Sequence, residues 1–312
     1  MNAAVVGLGV GEQHARAYGA ALRWVCDLDA AKARRLADEL NVGVATFDQI
    51  LRDPQTHVVS IASYDDVHAA QIVEALRAGK QVFAEKPLCR TRAELDAIRA
   101  VSNGRRLGCN LVLRAAPLYR WLRGAIAAGE LGTIYAFDGD YLFGRIEKIT
   151  HGWRKDVVDY SVMQGGGVHL VDLMLWLTDQ RPARVIAAGN RIATTGTAFR
   201  YNDFAAATFT FAGGLIGRIT ANFGSVHRHQ HVVRVFGTKA TFLYDDQGAR
   251  LCVSRDGTIK RIDLAPEPPT KGALIPEFLA GGGAETRHEF DVVLACLAAD
   301  EALAAGASVE VA

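Results

Sequence analysis

The chain has 312 residues, 50% of them hydrophobic, with 35 lysines and arginines against 34 aspartates and glutamates and a formal net charge of +1. That length points to two domains with a sizeable core, and 8 prolines with 22% charged residues argue against extended disorder. The charge balance gives no basic face for nucleic acid, and no apolar run reaches the ~18 residues of a membrane span. The start, Met1-Asn2-Ala3-Ala4, lacks the basic region of a signal peptide, so a cytoplasmic protein with neither nucleic-acid nor membrane partners is expected.

Residues 3–8 form a short apolar run that meets glycines at once, the mark of a buried strand turning into a helix. That helix is expected over residues 11–22, a second strand over 22–26, and a helix capped by Asp29 and running to Leu40. Residues 57–62 read as a strand, 67–78 as a helix ended by Gly79, and 81–84 as a strand. A helix from Arg92 and a strand over 107–113 follow. This alternation predicts parallel strands with crossover helices. Beyond a helix over 117–129 the pattern changes to strand-like runs at 133–143, 183–192, 204–212, 214–224, 231–237 and 240–244. Turns at Gly213-Gly214 and Asp256-Gly257 punctuate them, which suits a largely antiparallel sheet. Residues 265–276 read as a loop, 285–305 as a last helix and 308–311 as a final strand.

The turn Gly7-Leu8-Gly9-Val10-Gly11 lies between the first strand and helix. Glycines there let the backbone approach a pyrophosphate, whose charge the helix N-terminus favours. The spacing departs from G-x-G-x-x-G, with the third glycine one residue early and Glu12 in its usual place. Asp27 ends the second strand 20 residues after Gly7, where an acid would take the ribose hydroxyls. Leu28 follows it where an arginine would suit a 2′-phosphate, which favours NAD over NADP, although Lys32, Arg34 and Arg35 lie near. The plainer alternative is a structural turn with a surface Asp.

Residues 79–88 (GKQVFAEKPL) close on Glu85-Lys86-Pro87, and residues 61–76 (IASYDDVHAAQIVEAL) hold Ser63, Tyr64 and His68. Residues 110–114 read NLVLR, 165–177 read GGGVHLVDLMLWL, and 235–242 read VFGTKATF. Over nearly its whole length the chain resembles the glucose–fructose oxidoreductase, inositol dehydrogenase and MocA family of NAD(P)-dependent oxidoreductases. The resemblance implies an α/β protein with a doubly wound Rossmann domain over residues 1–113. A second α/β domain with an open, largely antiparallel sheet follows over 114–312, for substrate binding and oligomerisation. It also implies an active site in the cleft between the domains, and a homodimer or homotetramer. Ser63, Tyr64, His68, Glu85 and Lys86 would join the glycine turn and Asp27 at the cofactor.

Proline beside Lys86 cannot continue the ladder and holds the lysine at a strand end, where it can meet both the nicotinamide ribose and a substrate hydroxyl. His169 lies in a nearly all-apolar helix and is expected to be buried, with Asp172 three residues on along the same face. In the resembled family this histidine exchanges the proton of the reacting hydroxyl, a task that suits an imidazole. Asp172 would orient it, contact substrate, or tie the helix to its neighbours, and a satisfied core histidine is the plain alternative. Many family members carry Asp four residues before this His, where this chain has Gly165. Lys86 and His169 then suffice alone, or Tyr141, Tyr160 or Asp156 helps, or catalysis is lost. Trp153, Arg154 and Lys155 suit sugar stacking and carboxylate or phosphate recognition, and Arg114 is a further substrate candidate. His227, His229 and His231 alternate along a strand and suit a polar sheet face or subunit contact better than a metal. Cys26, Cys89, Cys109, Cys252 and Cys296 include no Cys-x-x-Cys pair and read as thiols in a reducing compartment, so no metal is expected.

Together these readings predict an NAD-dependent dehydrogenase acting on a secondary hydroxyl of a sugar, cyclitol or sugar derivative. Its rivals are a non-catalytic NAD-binding regulator and an enzyme that recycles its NAD internally, as a glycosidase-like catalyst does.

Overall fold

The computed structural model describes residues 1–311. The chain divides into two compact units, Met1–Ala115 with Pro268–Val293, and Ala116–Glu267 with the C-terminal segment from Leu294. The boundary expected near residue 113 is close to the first division. The return of residues 268–293 to the first unit had no signature in the sequence.

The first unit alternates strand and helix: β1 (Asn2–Val6), α1 (Gly11–Tyr18), β2 (Leu22–Cys26), α2 (Ala30–Leu40), β3 (Gly43–Val44), α3 (Phe47–Arg52), β4 (Thr56–Ile61), α4 (His68–Arg77), β5 (Gln81–Ala84), α5 (Arg92–Ser102) and β6 (Leu107–Cys109). All six strands are parallel, in the order β3-β2-β1-β4-β5-β6. Parallel strands are covered on both faces, which is why β1 and β4 are almost continuously buried. Asp29 caps α2 by accepting the Ala31 and Lys32 N–H groups. Thr46 with Gln49 and Thr91 with Glu94 make reciprocal capping boxes that start α3 and α5. The order reverses between β1 and β4, and the chain ends of those strands carry the glycine turn and Ala62-Ser63.

Two expectations fail here. β3 and α3 were not foreseen, being two and six residues long. The strand expected through Leu113 stops at Cys109, and residues 112–115 form a 3₁₀ turn. Leu111 and Leu113 are each 1% exposed, so their apolar run reflects packing rather than pairing in the sheet.

The second unit opens with α6 (Pro117–Ala127), β7 (Ile134–Leu142), α7 (Glu147–Thr150) and α8 (Val168–Thr178). Strands β8 (Pro182–Asn190), β9 (Phe204–Phe211), β10 (Ile216–Asn222), β11 (Gln230–Gly237), β12 (Thr241–Asp245), β13 (Gly248–Cys252) and β14 (Ile259–Ile262) follow. The chain then runs through α9 (Ile275–Leu279) and α10 (Thr286–Ala305) to β15 (Val309–Glu310). The sheet order is β14-β13-β12-β11-β7-β10-β9-β8-β15, antiparallel except for β7 beside β10. α8 packs on this sheet because Gly139 of β7 and Gly217 of β10 leave room for Leu170 and Met174. β13 and β14 were not foreseen, and neither was α7. α9 sits at the end of the expected loop, with Ile275 and Phe278 in the first unit's core beside Leu8, Tyr18 and Phe83. No helix among the described residues is long and apolar enough to cross a membrane.

Candidate active site

In the first unit, β1 runs straight into Gly7, whose φ is +81° and where a Cβ would stand only 2.5 Å from the Ala62 carbonyl oxygen. A Cβ at Gly11 would come within 3.1 Å of both Ala62 and Val5, so its absence lets α1 lie close on the sheet. Gly9 faces open space. Asp27 accepts the Leu8 N–H at 2.5 Å on one oxygen and the Asp29 N–H at 2.9 Å on the other. A carboxylate has about four acceptor positions, so capacity for ribose hydroxyls remains. These residues fit a dinucleotide: bare backbone at the N-terminal end of α1, and an acid fixed opposite it. Leu8 supplies only its main chain, because its side chain is 0% exposed, whereas Val10 and Leu28 are exposed. Of the nearby basic residues, Arg35 is drawn to Glu12 at 3.3 Å and Glu39 at 3.8 Å.

β5 delivers Glu85 and Lys86 at its end. Glu85 Oε1 receives the His14 Nε2 proton at 3.1 Å and the Asn110 amide at 2.6 Å, and that amide also reaches the Lys271 carbonyl. His14, fully buried, contacts Ser60 Oγ at 2.9 Å through Nδ1. Burial opposes ionisation of Glu85, but the His14 imidazole, the Asn110 amide and the charge of Lys86 bring its pKa down to about 2. The carboxylate is therefore a fixed acceptor, and its other oxygen takes the main-chain N–H of the half-buried Lys86 at 3.4 Å. The Lys86–Pro87 peptide is cis. Buried His68 bridges the Pro87 carbonyl at 2.8 Å and the Ser63 carbonyl at 3.1 Å, and Ser63 Oγ donates to Gln71 at 2.6 Å. Tyr64 is exposed. His14 and Ser60 were missed in the sequence, although a histidine sharing the buried face of α1 with Gly11, Ala15 and Tyr18 was a usable signal.

Arg114, expected near substrate, is 4% exposed and grips both Glu289 oxygens at 2.9 and 3.2 Å and the Cys109 carbonyl at 3.1 Å. It braces the first unit, and the substrate expectation for it is corrected.

In the second unit α8 carries His169 and Asp172. Asp172 is fully buried, which removes it from substrate contact, while His169 is only half-buried because it is the helix's second residue. Tyr141 of β7 stacks on His169, ring centroids 6.4 Å apart. His229 and His231 meet the same phenol edge-on, each at 5.2 Å. His231 lies 5.8 Å from His169 and 5.0 Å from His229. His227 pairs instead with Asp246 at 3.0 Å, so the expected trio is split. Among the described residues, no group of three or more His, Cys, Asp or Glu is placed to hold a metal ion. Burial pushes the Tyr141 phenol up to about 12 despite the nearby guanidiniums of Arg145 and Arg154. Trp153 is 37% exposed, with the Arg154 guanidinium 4.5 Å from its ring centroid. Lys155 and the exposed Asp156 pair with each other at 2.6 Å.

Met163–Gly167 form a π-helical turn leading into α8, a feature common at functional sites. Its glycines admit bulky neighbours: the Tyr160 hydroxyl stands against Gly165 and the Tyr141 ring against Gly166. The absence of an acidic side chain at 165 thus has a steric reason. Gly→Ala inside a helix usually stabilises by about 0.5–1 kcal/mol. Gly165→Ala is expected to destabilise instead, and Tyr160→Phe in the same background to recover part of the loss, both read by urea unfolding.

The start of this turn is held by Asp300, which accepts from Ser161 Oγ and Gln164 Nε2, each at 2.7 Å. Burial pushes Asp300 up to about 6 against those two hydrogen bonds. Below about pH 4 this carboxyl is protonated folded or unfolded, and from there to about pH 6 only the folded chain keeps the proton. Its stability contribution is therefore full at low pH and is lost as pH rises through that window. Asp300→Asn is expected to raise the melting temperature at about pH 8 and to lose that advantage by about pH 4. An equal shift at both pH values would contradict this assignment.

Residues 1–109 match the family model described as an oxidoreductase family with an NAD-binding Rossmann fold. Residues 119–243 match the GFO/IDH/MocA C-terminal domain. The chain is 31% identical over 237 residues to inositol 2-dehydrogenase of Rubrobacter xylanophilus, covering 73% of this chain and 65% of that one. It is 26% identical over 220 residues to an uncharacterised oxidoreductase of Rhizobium meliloti, covering 68% and 62%. The alignments thus span just under two thirds of the length of these curated relatives. A levoglucosan dehydrogenase solved with NADH shares the fold at a TM-score of 0.87 and 20% identity, covering 100% of this chain and 99% of that one. The glycine turn, the parallel sheet and the family match define an NAD-binding Rossmann fold. The chain belongs to the Gfo/Idh/MocA family of oxidoreductases.

Proposed function

We propose that the chain is an NAD-dependent dehydrogenase that oxidises a secondary hydroxyl of a sugar, cyclitol or sugar derivative to the ketone, or runs the reverse. The observation that carries this reading is the Asp27 carboxylate set opposite a bare Gly9 backbone at the reversal of strand order. Relatives named for inositol and levoglucosan support this substrate class. NAD is preferred over NADP because the Asp27 carboxylate disfavours a 2′-phosphate and Arg35 is committed to Glu12 and Glu39.

When bound, NAD supplies the hydride acceptor. The chain's residues do the rest. Lys86, held by the Glu85 network, positions the substrate hydroxyl through its ammonium. His169 takes the hydroxyl proton as hydride leaves the carbinol carbon, and returns it in the reverse direction. Gly7, Gly9 and Gly11 admit the pyrophosphate, and Ser63, Tyr64 and His68 shape the adjoining loop. A cytoplasmic homodimer or homotetramer belongs to the same proposal, though the chemistry requires neither.

The test is a turnover screen with NAD against cyclitols, aldoses, anhydrosugars, sugar acids and nucleotide sugars, with Lys86→Ala as control. Turnover that vanishes in the control is the expected result. Silence across the panel with NAD binding intact overturns the reading in favour of the non-catalytic regulator. Release of a leaving group without net NAD reduction overturns it in favour of internal recycling.

A further inference from the structure

Arg145 follows Gly144, whose positive φ of 60° lets this turn lie against the His227–His229 backbone. Its guanidinium sits 4.9 Å from the Phe143 ring centroid and reaches the Tyr141 phenol. Its Nε is buried without a hydrogen-bond partner. Arg154 acts on the same phenol and rests on Trp153. Neither guanidinium pairs with a carboxylate among the described residues. The other rings on this phenol are the imidazoles of His169, His229 and His231 and the apolar Phe143 and Phe223. Of the acids in the neighbourhood, Glu267 is exposed and bears on His229, Asp172 is enclosed within α8, and the exposed Glu147 and Asp156 lie two residues beyond the two arginines, with Asp156 paired to Lys155.

A buried guanidinium nitrogen, such as the Nε of the half-buried Arg145, is costly unless a partner compensates it. Their planar fork matches a carboxylate or phosphate better than a neutral hydroxyl. Other arginines of this chain show the usual solution: the exposed Arg16 on Glu12 and Glu39 and Arg218 on Asp138, and the largely buried Arg250 on Asp245. Arg145 and Arg154 lack that solution beside the histidine to which the proposed function gives the proton.

We propose that Arg145 and Arg154 form an anion subsite, and that the natural substrate is a sugar or polyol carrying an anionic oxygen group, a carboxylate or a phosphate. This deepens the dehydrogenase reading and rests on it for the reaction, but not for the binding. The aromatic rings of Tyr141, Phe143 and Trp153 supply apolar faces for a sugar ring beside the two cations. Arg145 and Arg154 are here specificity residues: they hold the group that does not react and so set which hydroxyl meets His169.

The test measures binding and turnover separately. Calorimetry on the full-length protein with saturating NADH uses D-glucuronate, D-galacturonate and D-glucose 6-phosphate, each against its neutral parent aldose. Turnover with NAD follows for the same pairs. The acids are expected to bind at least about tenfold more tightly than their parents, with a preference that weakens as salt rises. Arg145→Gln and Arg154→Gln are each expected to cut that preference about tenfold, mainly through KM, while Arg145→Lys restores part of it. Uronates winning over the phosphate identify a carboxylate substrate, and the converse a phosphate. Acids that bind through these arginines without any nicotinamide reduction support the subsite and count against the dehydrogenase reading. Neutral sugars oxidised with no preference for acids overturn the subsite and leave the dehydrogenase standing. Acid binding absent throughout, or unchanged in both glutamine variants, overturns the subsite as well.

Discussion

Alanine at His169 is expected to lower kcat for sugar oxidation by roughly 10²–10⁴-fold, the range for loss of a positioned acid–base group. His169 stands on the second residue of a helix packed to the sheet through Gly139 and Gly217, with Tyr141 against one face of the imidazole and His231 at its edge. Such a ring has few rotamers open to it, and positioning supplies much of its catalytic value. The alanine variant should also lose the limb of the pH–rate profile that an imidazole base supplies. NAD affinity should hold, since the glycine turn and Asp27 belong to the other compact unit. Lys86→Ala should fall by a comparable factor, and the double variant little further than either single one, because groups acting on one proton transfer are not additive. Steady-state kinetics over a range of pH reads all three. Full turnover by His169→Ala at every pH would remove it from the mechanism.

The second large effect is on stability. Arg114→Ala or Glu289→Ala is expected to cost about 3–5 kcal/mol by urea unfolding, because each leaves an uncompensated charge in the core. The two side chains are 5% and 2% exposed, so water screens little of their attraction. Arg114→Met combined with Glu289→Leu should regain most of that loss, since a packed apolar pair replaces a buried ion pair at little net cost. If Arg114→Ala instead kept full stability and raised KM for substrate, the role in substrate recognition suggested by its place in the sequence would return.

Much of this protein is legible in its sequence, for local reasons. Each apolar run bounded by Gly, Asp or Thr marks a parallel strand and its crossover, because those strands are buried on both faces and their helices are capped by the residues that follow. The glycine turn, Asp27, Glu85-Lys86-Pro87 and His169 stand out because backbone freedom and strand ends are properties of a few consecutive residues. What the sequence leaves open depends on partners distant along the chain. Nothing near Arg114 announces Glu289, 175 residues on, so a buried brace reads as a free cation. His14 meets Glu85 across 71 residues, and Asp300 meets Gln164 across 136. Short elements such as β3 and β14 have too few residues for a period to show, and form because a neighbouring strand already offers hydrogen-bonding groups. Gly165 is the sharpest case. In the sequence it is a missing acid, and in the folded chain it is the space that the Tyr160 hydroxyl occupies. Sequence determines which chemistry a segment can present. Only tertiary packing decides which charges are compensated, which glycines are clearances, and which side chains are left facing a ligand, because burial and pairing are set by contacts between segments.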